Sequence, residues 1–378
     1  MTATGPRPAA RVLLAAVVSL ALVLAAPWLG ELRSLLRRWY PDQVGLILNV
    51  GVAVLALAGV VLAVRGVRER RVPRFSLMGL ALVLAASSAA WTATDSATVN
   101  AAERFHFVAY GLVTLLFYRA FRRPDGDDLV LLAAPVVCAF IVALADEAFQ
   151  WYVPGRVGEI RDVGLNAAAI AAGLVFSLGA LPPRRLTRHV RPSSWRRLAT
   201  AVAVASIALA AFLQMVHLGT LVEDADGLAF RSRYSAATLR VLAGDRADRW
   251  AHDPPPASLV RFSREDQYLA EGVWHVQARN AAWESDIRRA WSENLILERY
   301  FGPVLDTPSW AIPERSRWPD AQRADAEERA GAGPPVASRA DLIPIFTANP
   351  GWIWAPAVAL ALIVLGLAAR RGPDGRPI

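Results

Sequence analysis

Long apolar segments constrain the fold of this chain more than any other feature of its sequence. A helix needs about 20 apolar residues to cross a bilayer core about 30 Å thick. Such segments recur eight times, over residues 10–30, 44–64, 75–94, 105–121, 129–152, 162–181, 198–218 and 350–369. Buried helices of a soluble protein are the alternative, but seven of these segments fall within the first 218 residues. The sequence therefore predicts an all-α, polytopic membrane protein with about eight transmembrane helices.

The distribution of arginine predicts how these segments are oriented. If the N-terminus lies inside, the cytoplasmic segments hold 19 arginines and the short segments on the other side hold six. Loops rich in basic residues stay in the cytoplasm. We therefore predict that both termini are cytoplasmic and that the protein is a multi-pass protein of the cell inner (cytoplasmic) membrane.

The net charge of +8 reflects this topology. Residues 219–349 hold 16 Arg against 20 Asp and Glu, so the basic excess lies in the segments that flank the membrane. We therefore predict no nucleic-acid partner. Cys138 is the only cysteine and lies within an apolar segment. We interpret it as a small packed side chain.

Polarity divides the chain into five regions. These are two N-terminal transmembrane helices (1–74), a transmembrane domain (75–181), a basic cytoplasmic loop with the seventh helix (182–218), an extracytoplasmic domain (219–349), and the last transmembrane helix with a cytoplasmic tail (350–378). The first segment could also be a signal peptide. Its length and the position of Pro27 directly after two alanines favour an uncleaved helix.

The extracytoplasmic region 219–349 contains the pattern of a mostly helical domain. Ser263 and Asp266 resemble a capping box at the start of one helix. A second helix is predicted over residues 290–301, ending at Gly302-Pro303. Residues 313–341 are rich in Pro, Ala and charge, which predicts a mobile or weakly ordered linker. This region is also the candidate surface for an envelope protein partner.

Polar residues cluster where three apolar segments meet the same predicted side of the membrane. They are Glu103, His106 and Tyr110 in the fourth segment, Glu147 and Gln150 at the end of the fifth, and Asp162 and Asn166 at the start of the sixth. Spacings of three, four and seven residues place the members from each segment on one helical face. Ionisable groups near hydrocarbon cost a few kcal/mol unless they are paired or hydrated, so such a cluster is a functional candidate.

Arg156 lies between the fifth and sixth segments. Pro154-Gly155 predicts a tight turn that holds Arg156 near both acidic ends. An Arg side chain can bind a carboxylate or a phosphate at two points. Two interpretations stay open: a structural network in which Arg156 pairs with Asp162 or Glu147, and a binding or catalytic site.

These residues also carry a family resemblance. The stretches ERFHFVAYGLVTLLFYRAF (103–121) and ADEAFQWYVPGRVGEIRDVGLNAAAIAAG (145–173) resemble, in order and spacing, the two signature regions of VanZ-like membrane proteins. That family is named for a teicoplanin-resistance protein, and its members are typically small helical membrane proteins. The resemblance covers residues 75–181 and implies a role in the cell envelope and in antibiotic resistance. This chain departs from the pattern at Arg104, where Lys is common, and at Ala109, where an acid often stands.

Two functions fit these residues best. In the first, the protein binds a lipid headgroup, cell-wall intermediate or glycopeptide at the outer face of the membrane. The partner would be a membrane lipid or a lipid-linked cell-wall precursor. The ligand contacts would be Arg156, Gln150, Asn166 and Tyr110.

In the second, the protein is a membrane-embedded hydrolase or transferase that acts on lipid-linked substrates. Glu147 and His106 would then form an acid/base pair, and Glu103 would orient His106 or, as the weaker alternative, help hold a divalent metal with Asp162. We predict no cofactor and no metal. A transporter is the third and weakest alternative, because the acids lie at one membrane face and none lies at mid-span.

A further polar face lies on the first predicted helix of region 219–349. Glu271, His275 and Arg279 recur at spacings of four, and Asn280 and Trp283 follow. We interpret this face as solvated and salt-bridged, with ligand contact as the alternative. The region's six tryptophans suggest core packing or contact with the bilayer, with sugar stacking as the alternative.

Overall fold

The apolar segments fold into long helices, and the polar region after residue 218 folds into shorter ones. The computed structural model describes residues 8–123, 126–153, 156–183, 185–259, 266–338, 340 and 343–370. The chain divides into two units. The membrane unit contains the described residues up to Trp151, from 156 to Phe212, and from Ile353 onward. The second unit contains Tyr152, Val153 and the described residues from Leu213 to Trp352.

The membrane unit is built from nine of the fourteen α-helices described. They are α1 (Pro8–Leu24), α2 (Ala26–Trp39), α3 (Val44–Arg65), α4 (Arg71–Trp91), α5 (Ala97–Phe121), α6 (Val130–Gln150), α7 (Ile160–Ala180), α8 (Pro192–Phe212) and α14 (Gly351–Ala369). Two short parallel strands, β1 (Asp127–Asp128) and β2 (Leu186–Thr187), pair between the loops that precede α6 and α8.

Six of the described helices are long and apolar enough to cross a membrane, which is fewer than the eight predicted. They are α3, α4, α6, α7, α8 with its π-helical extension Leu213–His217, and α14. A seventh span results if α1 and α2, which meet at a 48° bend, count as one. The predicted fourth segment forms α5, but its charged residues lower its hydropathy, and it is not among the six. The orientation of the termini stays a prediction.

The first predicted segment, 10–30, ends earlier than expected. The helix bends at Ala25, and α2 continues with Glu31, Arg33, Arg37 and Arg38 interspersed among leucines. This alternation makes α2 amphipathic, which is typical of a helix that lies at a membrane interface. Hydropathy alone could not separate α1 from α2, because the apolar run continues through the bend.

Helix α5 lies at the centre of the membrane unit and packs against α1, α3, α6 and α7. Alanines and small residues line these contacts, with Ala109, Ala139, Ala143 and Ala169 all buried in one cluster. Small residues let membrane helices approach closely. At the α5–α7 crossing, a Cβ on Gly173 would lie 2.9 Å from the Cα of Gly111, so glycine is required there.

Side chains from α4 and α5 hold the C-terminal end of α7. Arg74 donates to the carbonyl oxygens of Gly179 (2.8 Å) and Ala180 (2.6 Å). The hydroxyl of Tyr118 donates to the Leu181 carbonyl at 2.9 Å. The last carbonyls of a helix lack intrahelical partners, and a cation there also offsets the negative end of the helix dipole. These bonds fix α4 and α5 to α7.

The second unit begins with a β-hairpin that the all-α prediction missed. Strands β3 (Thr220–Glu223) and β4 (Ala229–Ser232) pair antiparallel. Oδ1 of Asp224 accepts from the backbone N–H groups of Asp226 and Leu228, and Gly227 has a φ of +81°. Asp and Gly favour such turns, because the side chain bonds the backbone and glycine tolerates positive φ.

Five helices complete the second unit. They are α9 (Ala236–Trp250), α10 (Gln267–Ala282), α11 (Ile287–Tyr300), α12 (Gly302–Asp306) and α13 (Asp320–Ala330). Their core joins β4, α9, α10, α11 and α12 around Phe230, Tyr268 and Phe301. The cap of α10 is Asp266, whose carboxylate accepts from the N–H of Tyr268. Ser263, the predicted cap, lies outside the described residues.

The predicted linker over residues 313–341 is wrong in its central part, which forms α13. Arginines and tryptophans hold this segment in place. The rings of Trp283 and Trp318 lie 5.1 Å apart, Arg279 stands over Trp318, and Arg329 stands over Trp283. Cation–π contacts of this kind stabilise by about 0.5–2 kcal/mol. The composition of this segment predicted weak order, because composition contains no information about contacts with residues far away in the chain.

Candidate functional site

Three helices of the membrane unit bring the predicted polar residues together. The N-terminal half of α5 contributes Glu103, His106 and Tyr110, the C-terminal end of α6 contributes Glu147 and Gln150, and the first turns of α7 contribute Asp162 and Asn166. The three helices pack against one another. Hydrogen bonds between residues of different helices connect most of this polar cluster.

A hydrogen-bonded chain joins the three helices through Asn166. Its Nδ2 donates to Oε1 of Glu147 at 3.0 Å, and its Oδ1 lies 2.5 Å from Nδ1 of His106. Because an amide oxygen only accepts, Nδ1 of His106 carries the proton in this arrangement. A neutral imidazole then presents Nε2 as an acceptor. His106 is partly exposed, whereas Glu147 and Asn166 are fully buried.

Tyr110 and Asp146 form a second contact between α5 and α6. The Tyr110 hydroxyl donates to Oδ2 of Asp146 at 2.7 Å, and the Tyr110 ring stacks on His106 with centroids 6.0 Å apart. The Tyr110 hydroxyl, which we predicted to contact a ligand, therefore donates its hydrogen bond to Asp146 of the protein itself. Asp146 was not among the predicted site residues. Its place beside Glu147, at the end of an apolar run, is the signal that could have identified it.

The Glu147 carboxylate has one bonded oxygen and one unbonded oxygen. Its Oε2 is buried and has no hydrogen-bond partner in the described part of the chain. A buried polar atom left unpaired costs about 1–3 kcal/mol, so it calls for a specific explanation. The chain at Gly158 lies directly against this residue, because a Cβ there would be 2.0 Å from the Glu147 carbonyl oxygen.

Arg156 bonds a neutral amide. Its Nε and Nη2 donate to Oε1 of Gln150 at 3.1 and 2.7 Å. Within the described residues it forms no direct ion pair with Asp162 or Glu147, but it lies close enough to both, and to Asp146, to act on them electrostatically. The guanidinium is thus held in position while its charge has no direct carboxylate partner. The turn at Pro154-Gly155 lies outside the described residues.

Arg161, which the sequence did not single out, pairs with Glu103 across α5 and α7. It also lies 3.9 Å from Asp162 and 4.0 Å from Glu159. The enzyme hypothesis expected Glu103 to orient His106. Glu103 instead pairs with Arg161. Its second oxygen, Oε2, is buried and unbonded within the described residues.

Arg33 of α2 adds a further positive charge that sequence reasoning missed. Arg37 and Arg156 both lie close enough to Arg33 to act on it electrostatically. Arg33 forms no ion pair with any described carboxylate. The signal was present in the sequence as an arginine-rich stretch after the first apolar segment. Its meaning depended on the bend at Ala25, which hydropathy does not reveal.

The cluster's chemistry is that of hydrogen bonding and charge. Asn166 separates Glu147 from His106, so the two do not form the direct acid/base pair that the enzyme hypothesis assumed. No group of three or more His, Cys, Asp or Glu side chains among the described residues could hold a metal ion. What the cluster offers is a fixed guanidinium, an imidazole Nε2 and an unbonded carboxylate oxygen.

The predicted polar face on α10 is buried, and each of its main members has partners. Glu271 accepts from Ser232 at 2.6 Å and from Arg233 at 2.9 Å. His275 Nδ1 lies 2.6 Å from Glu293. Arg279 donates to Asn294 and to the Ser316 carbonyl, and burial lowers its pKa to about 10. The prediction of a solvated face is wrong, because the hairpin, α11 and the chain near Ser316 cover it.

Comparison with known proteins finds one family. Residues 42–181 match the family model described as VanZ/LLP1. No curated protein and no solved structure matches the chain. The match begins at residue 42, earlier than the boundary predicted at residue 75, and so includes α3. This agrees with the packing, since α3 contacts α5 and α4 contacts α7.

Proposed function

Residues 42–181 match the VanZ/LLP1 family, and from this premise we propose what the protein binds. We propose that this membrane protein binds the anionic headgroup of a lipid or of a lipid-linked cell-wall precursor. The observation that carries the proposal is Arg156, which the neutral amide of Gln150 holds in place and which forms no direct ion pair with a carboxylate of the described residues. A guanidinium is well suited to bind phosphate or carboxylate at two points. Binding would occur at the outer face of the membrane in the predicted orientation.

The rest of the cluster supports the same proposal. Phosphate would bind Arg156, and Arg33 lies close enough to add a second positive charge, beside the carboxylates of Asp146, Glu147 and Asp162. Hydroxyl or amide groups of the headgroup would donate to Oε2 of Glu147 and to Nε2 of His106. An unbonded carboxylate oxygen in a buried site is explained if a ligand supplies its donor. Sequestering a lipid-linked precursor or a glycopeptide would connect this site with antibiotic resistance.

Lipid retention by the full-length protein tests the proposal. The protein would be purified in nanodiscs that contain a polyprenyl diphosphate, and bound lipid would be counted by native mass spectrometry. We expect Arg156→Ala to reduce retention at least tenfold, since a hydrogen bond to a charged group contributes about 1.5–3 kcal/mol. Arg156→Lys keeps the charge but loses the two-point geometry, so its retention should be intermediate.

Arg68→Ala is the matched control, because Arg68 is exposed in the loop between α3 and α4. It removes the same charge without touching the polar cluster. Retention of the polyprenyl diphosphate that is equal in wild type, Arg156→Ala and Arg68→Ala would refute this proposal.

The enzyme alternative has one observation in its favour. The chain from Glu147 through Asn166 fixes the proton of His106 on Nδ1, which leaves Nε2 able to act as a general base. Lipid mass spectrometry on cells that make wild type, Glu147→Gln or neither protein tests it. A lipid-linked species that changes only with wild type would support catalysis and name the substrate class. Identical profiles would exclude it.

A further inference from the structure

A groove of about 930 Å³ lies in the membrane unit at the end of the helices opposite to the polar cluster. It is bounded by α1, the C-terminal end of α5, and the starts of α6 and α8. Glu103 and Arg122 are 19 residues apart along α5 and its C-cap, or about 28 Å at 1.5 Å per residue. The groove and the polar cluster therefore lie at opposite membrane boundaries. They have no residue in common.

The groove has two chemically distinct parts. Its walls are apolar and include Val12 and Leu13 of α1 and Leu131 of α6. Its rim carries Arg122, Arg123 and Arg197. Volumes of about 300–1,000 Å³ are typical of small-molecule sites. An apolar cleft beside a basic rim matches a molecule with an acyl chain and an anionic head.

The rim arginines have binding capacity that the protein does not use. Arg122 donates from Nη2 to the Pro182 carbonyl at 2.8 Å, but its Nε is buried and unbonded within the described residues. The side chains of Arg123 and Arg197 form no hydrogen bond or ion pair in the same part of the chain. A buried donor without a partner calls for a specific explanation, and a bound anionic group would supply its acceptor.

Two aspartates on the groove wall do not neutralise the rim. Asp127 accepts from the backbone N–H of Arg123 at 2.8 Å, and Asp128 accepts from those of Val130 and Arg191. Both aspartates are buried, and neither forms an ion pair with Arg122, Arg123 or Arg197 in the described part of the chain. Oδ2 of Asp127 is unbonded within the described residues. It favours a headgroup that carries a hydroxyl donor beside its phosphate.

We propose that this groove binds an anionic phospholipid with a hydroxyl-bearing headgroup, taken from the leaflet at the Arg122 end of the bundle. The phosphodiester lies among Arg122, Arg123 and Arg197, and one acyl chain lies between α1 and α6. Basic pockets between transmembrane helices are known to select anionic headgroups in this way. The site is independent of the polar cluster, so either proposal can fail alone.

Native mass spectrometry of the full-length protein tests the site, with phosphatidylglycerol as the probe in phosphatidylcholine nanodiscs. The double variant Arg123→Ala/Arg197→Ala should lower phosphatidylglycerol affinity about 25-fold, since each arginine near an anionic lipid contributes about fivefold. Ala16→Phe fills the groove wall without changing charge and should displace the lipid as well. Arg156→Ala should leave this lipid bound, which separates the groove from the polar cluster.

The matched control is Arg185→Ala/Arg188→Ala, which removes the same charge at the same end of the bundle from two exposed residues outside the groove lining. It should change affinity less than twofold. Equal loss in the control and in Arg123→Ala/Arg197→Ala would overturn the proposal in favour of general surface charge. Two other results would overturn the proposal in favour of a site for a free anion. One is that Ala16→Phe leaves phosphatidylglycerol retention unchanged, and the other is that soluble glycerol phosphate abolishes it.

Discussion

The membrane unit and the second unit each hold a cluster of Glu, His and Arg side chains around a buried glutamate, but the hydrogen bonds of that glutamate differ. In the second unit, both carboxylate oxygens of Glu293 have hydrogen-bond partners. One oxygen lies 2.6 Å from Nδ1 of His275, and the other accepts from the Ser338 hydroxyl at 2.6 Å. In the membrane unit, Oε2 of Glu147 is buried and unbonded within the described residues. A complete network specifies a fold. An incomplete one leaves groups for a ligand.

The arginines show the same contrast. Arg279 is buried, donates to three oxygens and stands 4.8 Å from the centre of the Trp318 ring. Arg156 donates only to Gln150 among the described residues. From the sequence, each is an arginine near a helix end, with Asn280 beside one and Glu159 close to the other. Only the count of occupied donors distinguishes the structural arginine from the candidate ligand-binding one.

Substituting the two arginines should give the largest difference between the clusters. Arg279→Ala leaves the buried Asn294 oxygen and the partly buried Ser316 carbonyl without this donor, and we expect a loss of about 3 kcal/mol in the local stability of α10 and α11. Arg156→Ala should cost less than about 1 kcal/mol. Hydrogen exchange of the full-length protein in nanodiscs measures both. Arg315→Ala, an exposed position, is the control. Equal losses for Arg279→Ala and Arg156→Ala would end the distinction between a structural and a binding cluster.

The two glutamates should differ next. Glu293→Gln replaces an acceptor by an amide donor that faces either His275 or Ser338, so we expect a loss of about 2 kcal/mol in the second unit. Glu147→Gln keeps an oxygen for Asn166 and places its amide where no partner is lost. We expect its thermal stability in nanodiscs to stay within about 0.5 kcal/mol of wild type. A melting temperature lowered as much by Glu147→Gln as by Glu293→Gln would assign Glu147 a structural role.

Tyr268 provides a smaller, pH-dependent test of the second unit. It is buried with its hydroxyl donating to the Tyr300 carbonyl at 2.8 Å, and burial raises its pKa above the ordinary value of 10.0. The unfolded chain therefore loses this proton first. The stabilisation is fully present below pH 10 and is lost as the pH rises above 10. Tyr268→Phe should cost about 1 kcal/mol at pH 8.

The measurement compares hydrogen exchange of α10 at pH 8 and pH 10.5, corrected for intrinsic exchange rates. Wild type should lose more stability than Tyr268→Phe between these two values. Equal losses would mean that this hydroxyl is not the group whose titration matters.

The smallest effect should come from the exposed edge of the second unit. Arg329 stands 5.1 Å from the centre of the Trp283 ring and pairs with Asp325 one helical turn away. Its side chain is 42% exposed, so solvent screens both contacts. We expect Arg329→Gln to cost about 0.5 kcal/mol. Exchange in α13 measures it, and a cost above about 2 kcal/mol would show that this edge is part of the core network.

Part of the candidate site was predictable from the sequence. Glu103, His106, Glu147 and Asn166 could be grouped because hydropathy places three helix ends at one boundary, and helical spacing gives their faces. The partners could not be predicted. Glu103 meets Arg161, and Arg156 meets Gln150, because a shift of one turn along a helix exchanges one partner for another.

By itself the sequence determined the long helices of the membrane unit, since the length and polarity of a segment decide whether it can cross hydrocarbon. It also carried the resemblance to VanZ-like proteins that the family match over residues 42–181 supports, because spacing within two helices is a local property. Only the tertiary structure decided the bend at Ala25, the hairpin after Thr220, and the order of α13. Each depends on contacts between residues far apart in the chain. The same is true of which buried oxygens stay unbonded in the described part of the chain, such as Oε2 of Glu147.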